Sequence, residues 1–369
     1  MKPVGLVTLL SAIILITSCE KSEDTCACSP VESYPQTYNF ENVSHSGQDN
    51  RLDMLSEIVT YTKTSNNGEA VSEATLLNMF NNDGYTWQNT ELNNSSKQIA
   101  DKIHPDANET FGIWISTLES ISQNPGTGSN GTAGLVQSNS GTKQYLFDGN
   151  GYEIAQMIEK GSMGALAYYQ ATGVYLSNAK MDVDNETIEP GEGTAMQHHW
   201  DEAFGYWGVP KEFGSPGFTF DSDAEYNRFW AKYTNAVNDV LNVNSRLMSS
   251  FIKGRASINS KNYTVRDEAI AEIRSTWEQV CAAMAIHYLN EAKENIADDA
   301  LRNHQLSEAA GFIYSLQFNP SSRMTRSEIM NDILPVYLGN LYEVSIQDLN
   351  TLRDMLATRF ELQQEKEIL

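Results

Sequence analysis

The chain has 369 residues and a mass of 41.1 kDa, with 40% hydrophobic, 20% charged and 10% aromatic residues. That much apolar material offsets the entropy of ordering over most of the length, so a disordered polymer is excluded. With 25 Lys plus Arg against 48 Asp plus Glu, the formal charge is −23; a field of that sign repels phosphate backbones and excludes nucleic acid as a partner.

The N-terminus reads Met1-Lys2-Pro3 and then an apolar run from Val4 to Ile16, about 13 residues and too short for roughly 30 Å of hydrocarbon. This is the pattern of a secretory signal over residues 1–18. It ends Ile16-Thr17-Ser18-Cys19, which resembles the lipobox of bacterial lipoproteins and implies acylation of Cys19 and attachment to a membrane. Glu20-Lys21-Ser22-Glu23-Asp24 is similar to the surface-export signal of lipoproteins in Bacteroidetes-type outer membranes, which implies display at the cell surface. Residues 19–36, polar with Pro30 and Pro35, read as a flexible tether. Cys26 and Cys28 fall in the tether and Cys281 in a helical pattern, so the spacing offers no disulfide framework.

From Arg51, apolar residues at 52, 54, 55, 58 and 59 predict a helix. Ser72 caps a second helix to Phe80, and Ser95 or Ser96 caps a short one running to His104 before Pro105. A further helix spans Glu109 to Ser122. Residues 122–151 are rich in Gly, Asn, Ser and Thr, and the apolar clusters Leu135-Val136 and Tyr145-Leu146-Phe147 predict a long loop with a short hairpin. Helical patterning returns from Tyr152 to Asn178, where Gly161, Gly164 and Gly173 leave room for another helix. Asp182, Asp184 and Glu186 alternate like a calcium loop, but Thr187 and Gly193 stand where Gly and Glu are needed, so an EF-hand is excluded. Helices follow over Thr194–Tyr206, Ala224–Lys253, Val265–Ile296, Asp299–Gln317, Thr325–Leu334 and Ile346–Leu362. The fold class is all-α, packed helix bundles joined by long loops with at most a minor hairpin. An N-terminal helical part, 37–180, and a C-terminal bundle, 181–369, are expected, the two readable as one continuous domain.

Two histidine neighbourhoods carry the candidate chemistry. On a helix His198 and Glu202 lie roughly 40° from alignment and His199 and Glu202 roughly 60°, so Glu202 shares a face with either histidine, and Asp201 lies about a turn from His198. His304 and Glu308 repeat the i, i+4 spacing. Imidazole and carboxylate pairs on two bundle helices form a metal-ligating set when they converge, because an unpaired buried carboxylate is costly and a cation between the pairs offsets that cost. The expected metal ligands are His199, Glu202, His304 and Glu308, with His198 and Asp201 as auxiliaries.

The string His198-His199-Trp200-Asp201-Glu202-Ala203-Phe204-Gly205-Tyr206, with His304-Gln305-Leu306-Ser307-Glu308-Ala309 and Tyr38-Asn39-Phe40-Glu41-Asn42-Val43, resembles the family called domain of unknown function 4856. That family is similar in architecture and motif style to imelysin-like proteins, helical surface or periplasmic proteins with a His-x-x-Glu motif. The resemblance implies an imelysin-like bundle and a surface role in binding a divalent or ferric metal ion, iron first, linked to iron uptake. A capture or scaffold subunit of an outer-membrane transporter is a second expectation. A hydrolase using Glu202 or Glu308 as general base is a third, though no His-Glu-x-x-His signature or nucleophile elbow is present.

Overall fold

The computed structural model describes residues 34–369; the expected signal peptide, Cys19 and the tether up to Ser33 lie outside the described residues. In chain order the helices are α1 (Ser46–Lys63), α2 (Glu73–Asn81), α3 (Asn108–Ser122), α4 (Ile154–Ser162), α5 (Asn178–Met181), α6 (Ala195–Gly205) and α7 (Phe229–Ala236). They continue with α8 (Asn238–Leu241), α9 (Val243–Asn259), α10 (Tyr263–Glu294), α11 (Asp299–Ser315), α12 (Leu334–Leu338) and α13 (Ile346–Arg359). Strands β1 (Gly134–Gln137) and β2 (Gln144–Phe147) pair antiparallel with Leu135 opposite Leu146, the one sheet among the described residues. The fold is thus all-α with a minor hairpin in the long loop, and residues 34–369 form one compact unit. Among the described residues no helix is long and apolar enough to cross a membrane.

Helix α10 organises the core because it carries apolar side chains all round. Trp277, Val280, Cys281, Ala282, Ala283, Ala285 and Ile286 are all fully buried, so neighbours must cover every side of this stretch. Helices α9 and α11 flank it, and α7 and α13 add further cover. Helix α4 lies backbone-close to α11, since a Cβ on Gly311 would meet the Lys160 side chain at 2.4 Å. Past Ser162 the same helix widens into two π-helical segments, Met163–Tyr168 and Gln170–Tyr175, a geometry that recurs at functional sites. The first places Gly164 directly against Ser315, whose Oγ donates to Lys160 O at 2.9 Å. The second ends with Tyr175 beside α6.

Three predicted helices come out differently. Residues 95–104 form turns rather than a capped helix, because Asn82 Nδ2 donates to both Ser95 O and Lys97 O at 2.8 Å and Ser95 Oγ accepts from Lys97 N. Those bonds remove the carbonyls a helix would use. The Ala224–Lys253 pattern breaks into α7, α8 and α9 at Val237 and at Asn242, the latter at φ 51 in the left-handed region that Asn tolerates. The Thr325–Leu334 helix runs on through Pro335 into α12, with the π-helical segment Glu328–Ile333 directly before the proline, where the ordinary hydrogen-bond ladder is interrupted.

Candidate functional site

Helix α6 starts at a capping box. Thr194 Oγ1 accepts from Gln197 N at 3.2 Å, and Gln197 Oε1 accepts from Thr194 N at 2.9 Å, satisfying two otherwise orphan amides. Trp200 fixes the rotation of the helix. Its indole donates to Phe251 O at 3.0 Å and lies on the bare face of Gly254, where a Cβ would meet it at 2.1 Å. Phe204, one turn on, stacks on Tyr38 with ring centroids 3.8 Å apart. With that face buried, His198, His199 and Glu202 turn toward α1 and the end of the second π segment.

There His199 Nδ1 lies 2.9 Å from Glu202 Oε2, His198 Nε2 lies 3.8 Å from the same oxygen, and Gln48 Nε2 donates to Glu202 Oε1 at 3.1 Å. Burial opposes ionisation of Glu202, but the hydrogen bond with His199, the charge of His198, and donors on Gln48 and Tyr175 hold its carboxyl below the ordinary value. These side chains border a cavity of about 200 Å3 at the start of α1, lined by Ser44, His45, Ser46, Gly47, Gln48, Arg51, Lys97, Lys102, Tyr175, Glu192, His198 and Glu202. Every lining residue except Gly47 carries a polar or ionisable side chain. On the other side of His198 lies a second hollow of about 280 Å3, which shares Glu192 and adds Asp184, Glu189 and His199.

Asp201 does not line either space. It is fully buried, and its Oδ1 accepts from Tyr38 Oη at 2.5 Å and from Arg255 Nε at 2.9 Å. Burial raises its carboxyl above the ordinary value despite the Arg255 charge. This residue ties the N-terminal segment and α9 to α6; the auxiliary ligand role expected of it is taken up by that network.

His304 and Glu308 stand in a different place, on α11 against α4. His304 Nδ1 lies 2.6 Å from Glu153 Oε2, its Nε2 lies 3.8 Å from Glu308 Oε1, and its ring stacks on Tyr145 with centroids 4.2 Å apart. Burial pulls the imidazole pKa down, yet Glu153 and Glu308 outweigh it and raise it. Beside Glu308 the place of a cation is already filled by Lys160, 1% exposed, with Nζ at 3.0 Å from Glu159 Oε1 and 3.3 Å from Glu308 Oε1. The protein's own ammonium compensates the buried carboxylates there.

The two histidine pairs therefore do not converge. Helix α6 packs on α1, α5, α9 and the second π segment, whereas α11 packs on α4, α10, α12 and the hairpin. No hydrogen bond, ion pair or ring contact among the described residues joins the two sets. Nor is any group of three or more His, Cys, Asp or Glu side chains among the described residues arranged to hold a metal ion. The model of the family described as Domain of unknown function (DUF4856) matches residues 35–360. The chain belongs to that family. Comparison with curated proteins and with solved structures gives no match.

Sequence reasoning missed several groups that shape both sites in this DUF4856 member. Gln48 and Arg51 head the same helix face as Leu52, Leu55 and Ile58, so a polar pair on an otherwise apolar stripe was their signal. Glu159 and Lys160 likewise interrupt an apolar run in α4. Lys97 and Lys102 carried none, because the turn that brings them to α1 depends on distant Asn82.

Proposed function

We propose that the protein is a non-catalytic binding protein, held at the outer membrane through an acylated Cys19, that captures a small polar ligand in the cavity between α1 and α6. The carrying observation is the cavity wall itself, polar at every position but Gly47 and bordered by the His198 and Glu202 motif. Such a wall suits a solvated molecule with several hydrogen-bonding atoms and disfavours an apolar one. Against catalysis, the hydrogen bonds and charges around Glu202 hold its carboxyl below the ordinary value, which makes it a weaker base. Capture at the surface is the task of a subunit that hands its ligand to an outer-membrane transporter.

The test is the small-molecule content of the intact protein after desalting, read by mass spectrometry for the wild type and for His198→Ala. A species retained by the wild type and lost from the variant supports the reading; equal retention by both contradicts it. A metal ion, iron first, is the second reading, favoured by His198 and Glu202 at 3.8 Å with Asp184, Glu189 and Glu192 around the adjoining hollow. Elemental analysis after incubation with iron salts decides it, since equal iron in wild type and in His198→Ala, His199→Ala would exclude a site on α6.

A further inference from the structure

We infer that the ligand of the α1–α6 cavity is a small anion presenting carboxylate or phosphate oxygens, an inference that rests on that cavity being the binding site. Its anchor is Arg51. This side chain is 6% exposed, donates from Nε to Gln98 O at 2.8 Å and from Nη1 to Gly47 O at 3.0 Å, and has no carboxylate of the described residues within 4.0 Å. Among the described residues every other arginine except Arg274 has such a partner. A buried guanidinium without a counter-ion is costly to keep, and the cavity beside it is where a counter-ion fits.

Lys97 and Lys102 line the same wall, and neither forms an ion pair among the described residues. In a chain of net charge −23, three unneutralised cations around about 200 Å3 form a local inversion of sign. The backbone adds to it. The cavity borders the first turn of α1, an 18-residue helix whose N-cap, His45, supplies no side-chain cap; His45 O accepts from the Gln48 and Asp49 amides, which leaves the Ser46 and Gly47 amides and the positive end of the dipole to an acceptor. Gly47 makes the arrangement possible, because a Cβ there would lie 3.0 Å from Lys97 Cε and 3.5 Å from Arg51 Nη1. Two carboxylates also border the space. Glu202 is engaged by Gln48 and His199, and Glu192 is exposed at the rim. The volume is below the ~300 Å3 where drug-sized pockets begin, which selects phosphate or a short-chain carboxylate over a nucleotide or oligosaccharide.

Isothermal titration of the intact chain at low salt with inorganic phosphate, succinate and citrate tests this, with putrescine and glucose as cationic and neutral comparators. Saturable binding of phosphate or of a carboxylate is expected, and which of the two arms responds identifies the oxygen source. Lys97→Gln and Lys102→Gln, both on non-helical surface segments, should each weaken it roughly tenfold through loss of one charge-assisted contact. Gly47→Ala should weaken it by displacing the Lys97 stem. No anion binding at millimolar concentration, or anion binding indifferent to both lysine substitutions, overturns the inference. Putrescine or glucose binding that His198→Ala abolishes would overturn the anionic class while upholding the cavity. If no probe binds in a manner sensitive to His198→Ala, the cavity reading fails as well.

Discussion

Replacing Lys160 with Met keeps the length of the stem and removes the charge. In the wild type the ammonium lies 3.0 Å from Gln156 Oε1 and Glu159 Oε1 and 3.3 Å from Glu308 Oε1, with the whole side chain buried. In Lys160→Met, Glu159 retains Lys63, while Glu308 retains His304 at 3.8 Å and the Tyr288 hydroxyl but loses its ammonium partner. Removing one partner of a buried ion pair costs about 3–5 kcal/mol, and the surviving Lys63 contact puts this case at the lower end. At roughly 2 °C per kcal/mol for a chain of this size, Tm should fall by about 6 °C. Urea unfolding followed by tryptophan fluorescence at neutral pH measures the loss. Adding Glu308→Gln to the variant should recover more than half of it, because the uncompensated charge is then gone. Acid supplies a second arm. Burial raises the Glu159 carboxyl, but Lys160 and Lys63 hold it at about 2 against an ordinary 4.5. Its contribution is present above 4.5 and disappears as pH falls toward 2, so the gap between wild type and variant should narrow below pH 4.5 and close near pH 2. A loss under about 1 kcal/mol at neutral pH, or a gap unchanged in acid, would refute the reasoning.

His304→Asn should show the opposite pH dependence. The folded protein raises the imidazole pKa, so its stabilisation is complete below the ordinary 6.5 and vanishes as pH rises through the folded value. Chemical denaturation should find the variant further below wild type at pH 6 than at pH 9. Tyr38→Phe removes the donor to the buried Asp201 carboxylate and should cost about 1.5–3 kcal/mol in the same assay. Gly254→Ala drives a methyl into the Trp200 ring and should cost about 1–3 kcal/mol, with a changed tryptophan emission spectrum as α6 shifts.

Apolar periodicity alone located α1, α2, α3, α10, α11 and α13, because each buries one long stripe or all faces. It failed where side chains competed with the backbone, as Asn82 does at residues 95–104 and Asn242 does between α8 and α9. The close approach of Ser315 to Gly164 was legible as room for a neighbouring helix, whereas the π widening after Ser162 left no signal in the periodicity. The candidate site was half legible. The spacing of His198, His199 and Glu202 on one helix was enough to bring them together. Whether His304 and Glu308 would meet them depended on helix order around α10, and the carboxylate of Glu308 had a nearer partner in Lys160. An i, i+4 pair shows which groups share a face and says nothing of the cation opposite.

The most direct test is a crystal of the protein soaked in selenate, located by its anomalous signal. The account predicts a peak between the first turn of α1 and α6, within hydrogen-bonding distance of Arg51 and of Lys97 or Lys102. Selenate bound only elsewhere on the protein, with that cavity holding water alone, would contradict it.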